Sequence, residues 1–303
     1  GDMDPMLRTT LKTIADTGVN GVYLDSSPAA NICSCLQHGC GYVDDKGELH
    51  GTYVIWANRE FHKRIYTLFH GEMIKGGLVY AHHSPYPFMT VESFVDIHHC
   101  GEGSTLTRDA AIPKFYGYPF GLPVQFTRWN NPAYPETRMN SWRFVLQVDS
   151  VIKAHPGMVI SKTVMPEYKG IAREGYLAKG YDRMGEAVWQ VWDAQKRFPW
   201  DGAQWIPSWR ISPCADSGSE DIWVCMNLNP GKAALIAVSD LREEPKGDVK
   251  LLLKVDWKKM GFDPARVTVK DVILQKEIPH TPQGVELEIK EKLFRYLELR
   301  PIP

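Results

Sequence analysis

The stretch Gly21-Val22-Tyr23-Leu24-Asp25 decides the fold class, since it combines a short apolar strand with a carboxylate at its end. A helix is predicted just before it, because Pro5 suits a first helical turn and Gly18 suits a C-terminal stop. A second helix is predicted after a long loop over residues 26–52, and it covers residues 54–74. Strand and helix therefore alternate, which is typical of parallel βαβ units.

The same alternation continues to about residue 200. Further strands are predicted at 77–81, 93–97, 122–126 and 158–160, and further helices at 136–154 and 181–198. Polar residues follow the strands, as they do at the active-site edge of α/β barrels. The five predicted strands cannot close an eight-stranded barrel, so either three strands lie upstream of this chain or the sheet is open. We favour the C-terminal part of a (β/α)8-type barrel, strands four to eight, over residues 1–200.

The residues after about 203 have a different texture. Short β-like segments recur at 222–227, 233–238, 249–255, 267–274, 285–289 and 293–299. Turn signals separate them, among them Asn229-Pro230-Gly231 and Gln283-Gly284. Such a run of short antiparallel strands predicts a β-sandwich, so a second domain is expected over residues 201–303.

Composition and charge exclude several classes of protein. The chain has 35 Lys and Arg against 36 Asp and Glu, a balance that argues against a nucleic-acid partner. No apolar run approaches the length of a membrane span, and the first residues lack the pattern of a signal peptide. Aromatic residues make up 11% of the chain, which suits a sugar-binding cleft as well as a large core.

Three carboxylates near predicted strand ends are the strongest chemical signal. Asp25 closes the first strand, Asp96 lies within another, and Glu102 follows in a Gly-Glu-Gly turn. Glycoside hydrolysis needs two carboxyl groups on opposite sides of the scissile bond. We therefore predict Asp25 as nucleophile or base, Glu102 as general acid, and Asp96 as the group that tunes the pKa of Glu102 or positions it. The alternative is that Asp25 caps a turn and Asp96 forms an ion pair.

Two histidine pairs, 82–83 and 98–99, end consecutive predicted strands. Neighbouring side chains on a strand point to opposite faces, so at most one of each pair faces the site. Further polar and aromatic residues follow strands, lie in the loop 26–52 or begin the next helix. The predicted substrate-binding residues are His38, Tyr42, Arg59, His82, His98, Arg128 and Trp129.

Other functions stay open at this point. His82, His98 and Asp96 are candidate ligands of a metal-dependent hydrolase, although we predict no metal. A non-catalytic protein that binds glycans through its aromatic residues is a further alternative. The chain has no phosphate loop, no dinucleotide fingerprint and no nucleophile elbow, so no cofactor is expected.

Three cysteines, Cys33, Cys35 and Cys40, lie in one short segment. Structural zinc sites usually space their ligands differently and add a second pair elsewhere in the chain. A metal site, a local disulfide and ordinary thiols all remain as interpretations.

Several motifs resemble those of bacterial glycoside hydrolase family 123-like proteins. They are Gly21-Val-Tyr-Leu-Asp25, His38-Gly-Cys-Gly-Tyr42-Val-Asp44, Arg59-Glu60 with Lys63-Arg64-Ile65-Tyr66, and Ser93-Phe-Val-Asp96 followed by Gly101-Glu102. The resemblance covers residues 18–105 well and the remainder loosely. It implies a (β/α)8 barrel with a C-terminal β-sandwich that acts on an oligosaccharide or polysaccharide. By analogy with glycan-degrading bacteria, it also implies a secreted or periplasmic protein.

The resemblance has one departure. Characterised members look to use an adjacent Asp-Glu pair, with the N-acetyl group of the substrate as nucleophile, and no Asp-Glu dipeptide occurs in this chain. The chain also resembles α-galactosidase-type barrels in a second respect, since one carboxylate follows strand four and another follows strand six. In those barrels the first carboxylate is the nucleophile and the second is the acid/base, roles that would fall on Asp25 and Glu102.

Overall fold

The computed structural model describes two compact units of the chain. The described residues are 3–25, 32–71, 74, 76–82, 89–100, 122, 124–126, 143, 146–148, 151–152, 184–208, 214–242, 247–291 and 293–302. The first unit contains the described residues up to Phe126, and the second contains those from Arg143 onward. The domain boundary near residue 200 stays a prediction.

The first unit is a mixed α/β structure. Its helices are α1 Met3–Thr17, α2 Ile55–His70 and the short α3 Met89–Glu92. Its strands are β1 Gly21–Leu24, β2 Ile32–Cys33, β3 Gly41–Val43, β4 Leu49–Tyr53, β5 Leu78–His82, β6 Ile97–Cys100 and β7 Val124–Phe126. Strands β1, β5, β6 and β7 pair in parallel in that order, which confirms the predicted βαβ units.

The sequence explains where helix α1 ends and which face of helix α2 is buried. Gly18 ends α1 with a φ of 70°, a left-handed conformation that glycine adopts easily, and its amide donates to the Ile14 carbonyl. Ile65 and Phe69 lie one turn apart on α2 and are buried against Val79 of β5. The helix and the strand thus share one apolar core.

The third parallel strand begins later than predicted. Strand β6 starts at Ile97 rather than at residue 93, because α3 occupies the preceding segment. The Phe94 amide still donates to the Val91 carbonyl, so the chain is turning, not extended, just before the strand. Asp96 therefore precedes β6 instead of lying within a strand.

The segment predicted as a long loop contains a small antiparallel sheet. Strands β2, β3 and β4 form a meander in the order β2-β4-β3. Asp44 turns the chain between β3 and β4 by accepting hydrogen bonds from the amides of Lys46 and Glu48. A β-hairpin signal, Asp44-Asp45-Lys46-Gly47 between β-forming residues, was present in the sequence.

The second unit is rich in sheet. Its helices are α4 Met184–Arg197 and α5 Trp257–Met260, with 3-10 turns at Leu146–Val148 and Pro264–Arg266. Its strands are β8 Val151–Ile152, β9 Gln204–Ile206, β10 Ala215–Asp216, β11 Ile222–Asn229, β12 Ala233–Asp240, β13 Val249–Val255, β14 Val267–Asp271, β15 Lys276–Glu277, β16 His280–Thr281, β17 Gly284–Ile289 and β18 Phe294–Pro301. The predicted helix near 181–198 and the predicted strands after residue 203 are confirmed.

Two antiparallel sheets of the second unit share one core. The orders are β10-β13-β17-β16 and β15-β14-β18-β12-β11-β9. Leu253 and Leu287 from the first sheet join Ile236 and Leu297 from the second in a single buried cluster. Burial of such side chains contributes roughly 1.5–3 kcal/mol each, so this cluster is a main source of the stability of this unit.

Candidate active site

The ends of three parallel strands lie side by side at one edge of the first unit. The register places Leu24 of β1 opposite Ala81 of β5, and His82 of β5 opposite His99 of β6. Asp25 directly follows Leu24, so it emerges next to His82. In α/β proteins this carboxyl edge of a parallel sheet is where catalytic side chains gather.

The two faces of this sheet differ in chemistry. One face, with Val22, Leu24, Val79 and Ala81, packs against apolar side chains of α1 and α2. Neighbours along a strand point to opposite faces, so the intervening residues lie on the other face. These residues are Tyr23, Asp25, Tyr80, His82 and His99, which we call the tyrosine–histidine cluster.

Asp25 is held by two neighbours within the cluster. The Tyr23 hydroxyl lies 3.0 Å from Oδ1 of Asp25, and Nδ1 of His82 lies 2.9 Å from the same oxygen. The hydroxyl and Nδ1 are themselves 3.0 Å apart. With a proton on Nδ1, both groups donate to the carboxylate and orient it.

Aromatic and imidazole rings form the floor of the cluster. The Tyr80 hydroxyl is hydrogen-bonded to Nδ1 of His99, and the rings of His82 and His99 lie 4.4 Å apart between centroids. Both histidines are buried, whereas the Asp25 side chain is 63% exposed. A ligand can therefore reach the carboxylate, while His82, which helps to orient it, is held in place by packing.

The structure brings the predicted residues Asp25 and His82 together and places the predicted residue His98 on the other face of the sheet. Asp25 and His82 are in contact, as expected of residues that share a site. His98, however, is paired with Ala81 and shares its helix-facing side, and it is His99 that faces the cluster. The substrate-binding role of His98 stays a prediction, and the face on which His98 lies depends on the register of β6, which the sequence does not reveal.

Asp96 lies apart from this edge. Its Oδ2 accepts a hydrogen bond of 2.7 Å from the Val79 amide and is 2.8 Å from Nε2 of His70. Val79 precedes His82 by three residues along β5, a distance of about 10 Å. Asp96 therefore stands before β6, where it contacts α2 and β5, and its proposed role beside Glu102 stays a prediction because Glu102 lies outside the described residues.

The alternative metal site does not come together. His82 and His98 point to opposite faces of the sheet, and Asp96 lies toward the other edge. Within the described ranges, three side-chain atoms of metal-binding types approach within 4.8 Å of one another only at Asp44, Glu48 and His50. That group lies on the meander, where Nε2 of His50 is 2.8 Å from Oδ2 of Asp44.

Three other predicted residues make local contacts. Arg59 on α2 is paired with Glu60 at 2.5 Å, and its guanidinium lies 5.0 Å from the centre of the Phe94 ring. Tyr42 on β3 is exposed and stacks on His50 with 5.2 Å between centroids. His38 is exposed in the turn between β2 and β3. These contacts lie along α2 and within the meander.

The remaining predictions fall outside the described residues. These are the general acid Glu102, the substrate-binding residues Arg128 and Trp129, most of the helix at 136–154, and the strand at 158–160.

Sequence reasoning missed three members of the cluster, Tyr23, Tyr80 and His99. Tyr23 could have been found, because it precedes Asp25 by two residues on a predicted strand and must share its face. Tyr80 is related to His82 in the same way. The cluster thus follows a period of two, and a search of alternate strand positions would have found both tyrosines.

Comparisons with known proteins point to the fold. The sequence matches no protein-family model and no curated protein sequence. One similar solved structure is an α-amylase from Anoxybacillus, described as giving insight into a new glycosyl hydrolase subclass; it is 9% identical, with a TM-score of 0.52. The match covers 100% of this chain and 65% of that one. At this identity the likeness shows a shared fold.

Two further matches have lower scores. A noncanonic maltogenic α-amylase from Thermotoga neapolitana is 12% identical with a TM-score of 0.49, over 98% of this chain and 65% of that one. A GH30 endoxylanase from Clostridium papyrosolvens is 10% identical with a TM-score of 0.48, over 96% and 68% of the two chains. The chain spans about two thirds of the length of each of these glycoside hydrolases.

No helix among the described residues combines the length and the apolar character that a membrane crossing requires.

Proposed function

We propose that this chain carries the active site of a glycoside hydrolase, with Asp25 as its nucleophile or base. The observation that supports this most is the hydrogen-bonded group of Tyr23, Asp25 and His82 at the carboxyl edge of a parallel sheet. A reachable carboxylate oriented by two hydrogen-bonding neighbours is what attack on an anomeric carbon, or activation of a water, requires. The shared fold with a glycosyl hydrolase from Anoxybacillus supports the same reading.

The second carboxyl group of the proposed reaction is Glu102. In sequence it follows the last residue of β6 by two positions, and β6 carries His99 beside His82. Glu102 would protonate the leaving oxygen while Asp25 attacks the sugar or takes a proton from water. Tyr23 and His82 would keep Asp25 oriented. We assign no step to Asp96, because its contacts are with Val79 and His70.

The finer architecture is part of the proposal. We infer a (β/α)8-type barrel whose strands four to eight lie in residues 1–200, followed by a β-sandwich in residues 201–303. The parallel order of four strands and the polar face opposite the helices support the barrel. Two antiparallel sheets with one common core support the sandwich.

The proposed substrate is an oligosaccharide or polysaccharide. Tyr80, supported by the buried His99, would contact the sugar beneath Asp25, and Arg128, Trp129, His38 and Tyr42 would add contacts from the surrounding loops. The family 123-like assignment and export from a bacterial cell belong to this proposal as well. The substrate need not carry an N-acetyl group, since the Asp-Glu pair that would orient such a group is missing.

Two substitutions test the proposal directly. Asp25→Asn and Glu102→Gln should each lower kcat on a hydrolysed glycan by about 100-fold or more, the usual contribution of a positioned acid or base. The matched control is Asp16→Asn, which changes an exposed helical carboxylate that is paired with Lys12. The assay uses a panel of aryl glycosides and polysaccharides, with reducing sugar as the readout.

The same assay separates the roles of the two residues. Proton NMR of the first-formed product gives its anomeric configuration, and retention would assign Asp25 as nucleophile whereas inversion would assign it as base. Turnover that survives in both variants at the level of Asp16→Asn would refute the glycosidase assignment.

A further inference from the structure

The three cysteines of the meander take no part in the proposed glycosidase chemistry. Cys33 ends β2, Cys35 follows it, and Cys40 directly precedes β3. All three are half-buried thiols, so small reagents can reach them. Because they lie within eight residues of one another, any bond between two of them closes a short loop.

The backbone folds tightly at this point. The amides of Cys40 and Gly41 both donate to the Cys35 carbonyl, at 3.2 and 3.1 Å. A Cβ atom on Gly41 would lie 2.2 Å from the Ser34 carbonyl oxygen and 3.1 Å from its Cα, so the two backbones are in direct contact. Cys33 and Cys40 are the residues that precede this contact on each side.

A neighbouring strand holds both cysteines in place. Thr52 of β4 is opposite Cys33 in the register, and its amide donates to the Cys40 carbonyl at 3.1 Å. Its hydroxyl donates to the same carbonyl at 2.6 Å. The ends of the loop are therefore fixed by β4 before any covalent bond forms.

The Cys40 thiol faces the loop that the pair would close, since its Sγ lies 3.9 Å from the His38 carbonyl oxygen. The pKa of the Cys40 thiol is raised, first by burial, then by a hydrogen bond with the Cys33 thiol and by negative charge on Cys33 and Cys35. Cys33 and Cys40 both lie at the level of Thr52, one on each side of β4, and the chain segments that follow them touch at Ser34 and Gly41. A metal ion shared by the three cysteines would need all three sulfur atoms close together. Among the described residues, these three sulfur atoms do not all lie within 4.8 Å of one another, which favours a bond between two of them.

We propose that Cys33 and Cys40 are a redox pair that forms a disulfide, with Cys35 as the remaining thiol. The oxidant is oxidised glutathione. One cysteine thiolate attacks the S–S bond of oxidised glutathione and releases one glutathione thiolate. The second cysteine thiolate then attacks the mixed disulfide and releases the other glutathione. The two cysteines lose two electrons and two protons in total, and two molecules of reduced glutathione result.

The bond would tie the chain that follows Asp25 to the strand that carries Tyr42. It closes the loop 33–40, which contains His38. A disulfide restricts mainly the unfolded chain, so the meander should open less often when the pair is oxidised. This inference rests on the thiols alone and stands or falls separately from the proposed glycosidase function.

The test is a redox titration of the full chain. The protein is equilibrated in buffers of increasing oxidised-to-reduced glutathione ratio, unfolded in an alkylating reagent, and analysed by intact mass and peptide mapping. We expect Cys33 and Cys40 to lose alkylation together, with the loss of the mass of two hydrogen atoms and one peptide that links them. Cys35 should remain alkylated throughout.

Serine variants supply the controls. Cys35→Ser should form the bond at the same glutathione ratio as the natural chain, whereas Cys33→Ser and Cys40→Ser should form none and take up glutathione instead. Thermal unfolding under reducing conditions checks that each variant is folded. If one is not, the peptide map of the natural chain alone decides.

Three results would overturn the proposal. The first is a linked peptide that contains Cys35, and the second is equal alkylation of all three thiols at every ratio. The third is one zinc ion per chain by elemental analysis, together with thiols that react only after a chelator is added, which would assign a metal site instead.

Discussion

The two units treat their aspartates in opposite ways. In the second unit, Asp271 is fully buried and is met by the Arg295 guanidinium at 3.0 Å. In the first unit, Asp25 is mostly exposed and is met by a tyrosine hydroxyl and an imidazole. Arg295 neutralises the charge of Asp271 and binds it in a buried ion pair. Tyr23 and His82 instead orient Asp25 through hydrogen bonds and leave it accessible to solvent.

This contrast separates groups that stabilise the fold from groups that are available for chemistry. Asp240 follows the pattern of Asp271, since the Arg242 guanidinium binds both of its carboxylate oxygens. Glu298 likewise contacts Arg197 and Arg300. The carboxylates of the second unit are therefore expected to affect stability, and Asp25 is expected to affect activity.

The largest effect on stability should come from Asp271→Ala. The change leaves Arg295 nearly buried without its partner, which typically lowers the free energy of unfolding by about 3–5 kcal/mol. The change also removes the hydrogen bond of 2.7 Å that Asp271 accepts from the Leu274 amide, which adds to the loss. Urea unfolding followed by circular dichroism measures it.

The control for this change is Asp248→Ala. Asp248 pairs with Lys290 at 2.7 Å on the surface, and such exposed pairs contribute about 0–1 kcal/mol. Equal losses in the two variants would contradict the distinction between buried and exposed pairs.

The adjacent histidines of β6 sharpen the comparison within one strand. His99→Gln should lower kcat/KM by about 10- to 100-fold, because it removes the ring that contacts His82 and Tyr80, and each tenfold step corresponds to about 1.4 kcal/mol. His98→Gln changes a buried side chain on the helix-facing side and should lower stability by about 1–3 kcal/mol.

Kinetics and thermal unfolding of both histidine variants, made in parallel, provide the check. If His98→Gln lowered kcat/KM as much as His99→Gln does, the assignment of the two faces would be wrong.

A smaller effect is expected for Tyr23→Phe. The change removes one hydroxyl that donates to Asp25 and leaves the ring in place, so kcat/KM should fall by about five- to tenfold, in line with one hydrogen bond. The melting temperature should barely change. Tyr66→Phe is the matched control, since Tyr66 stacks on His70 of α2 away from the cluster, and it should keep full activity.

The smallest expected effect is a loss of stability of the meander at low pH. The pKa of Asp44 is held below its ordinary value of 3.8, first by the Glu48 amide and then by His50. Because the pKa of Asp44 is lower in the folded chain than in the unfolded chain, its charged form stabilises the folded meander at pH values above 3.8. This contribution to stability is lost as the pH falls below 3.8.

Hydrogen exchange of the Glu48 amide should therefore speed up in acid beyond its intrinsic pH dependence. Asp44→Asn should show no such change below that pH. Identical exchange profiles for the two proteins would contradict the role of Asp44.

Much of the fold could be predicted because local patterns decide it. The stop at Gly18, the strand that ends at Asp25, and the alternating helices and strands all depend on neighbours in the chain. The same holds for the strands after residue 203. The meander was missed although its turn residues were visible, since a hairpin of two short strands has little apolar periodicity.

The membership of the tyrosine–histidine cluster was predicted only in part. Asp25 and His82 were found because each ends a strand, and residues that end parallel strands meet at one edge. Asp96 was misplaced because a short helix, α3, delays the start of β6.

The amino-acid sequence by itself determined the α/β character of the first unit, the sheet-rich second unit, and the strand end where Asp25 lies. Only the tertiary structure decided that His99 rather than His98 joins Asp25, and that Asp96 binds the start of β5. The reason is register: side chains alternate with a period of two, so a strand that starts one residue later presents the opposite face. Register is set by pairing with distant strands, and no local pattern records it.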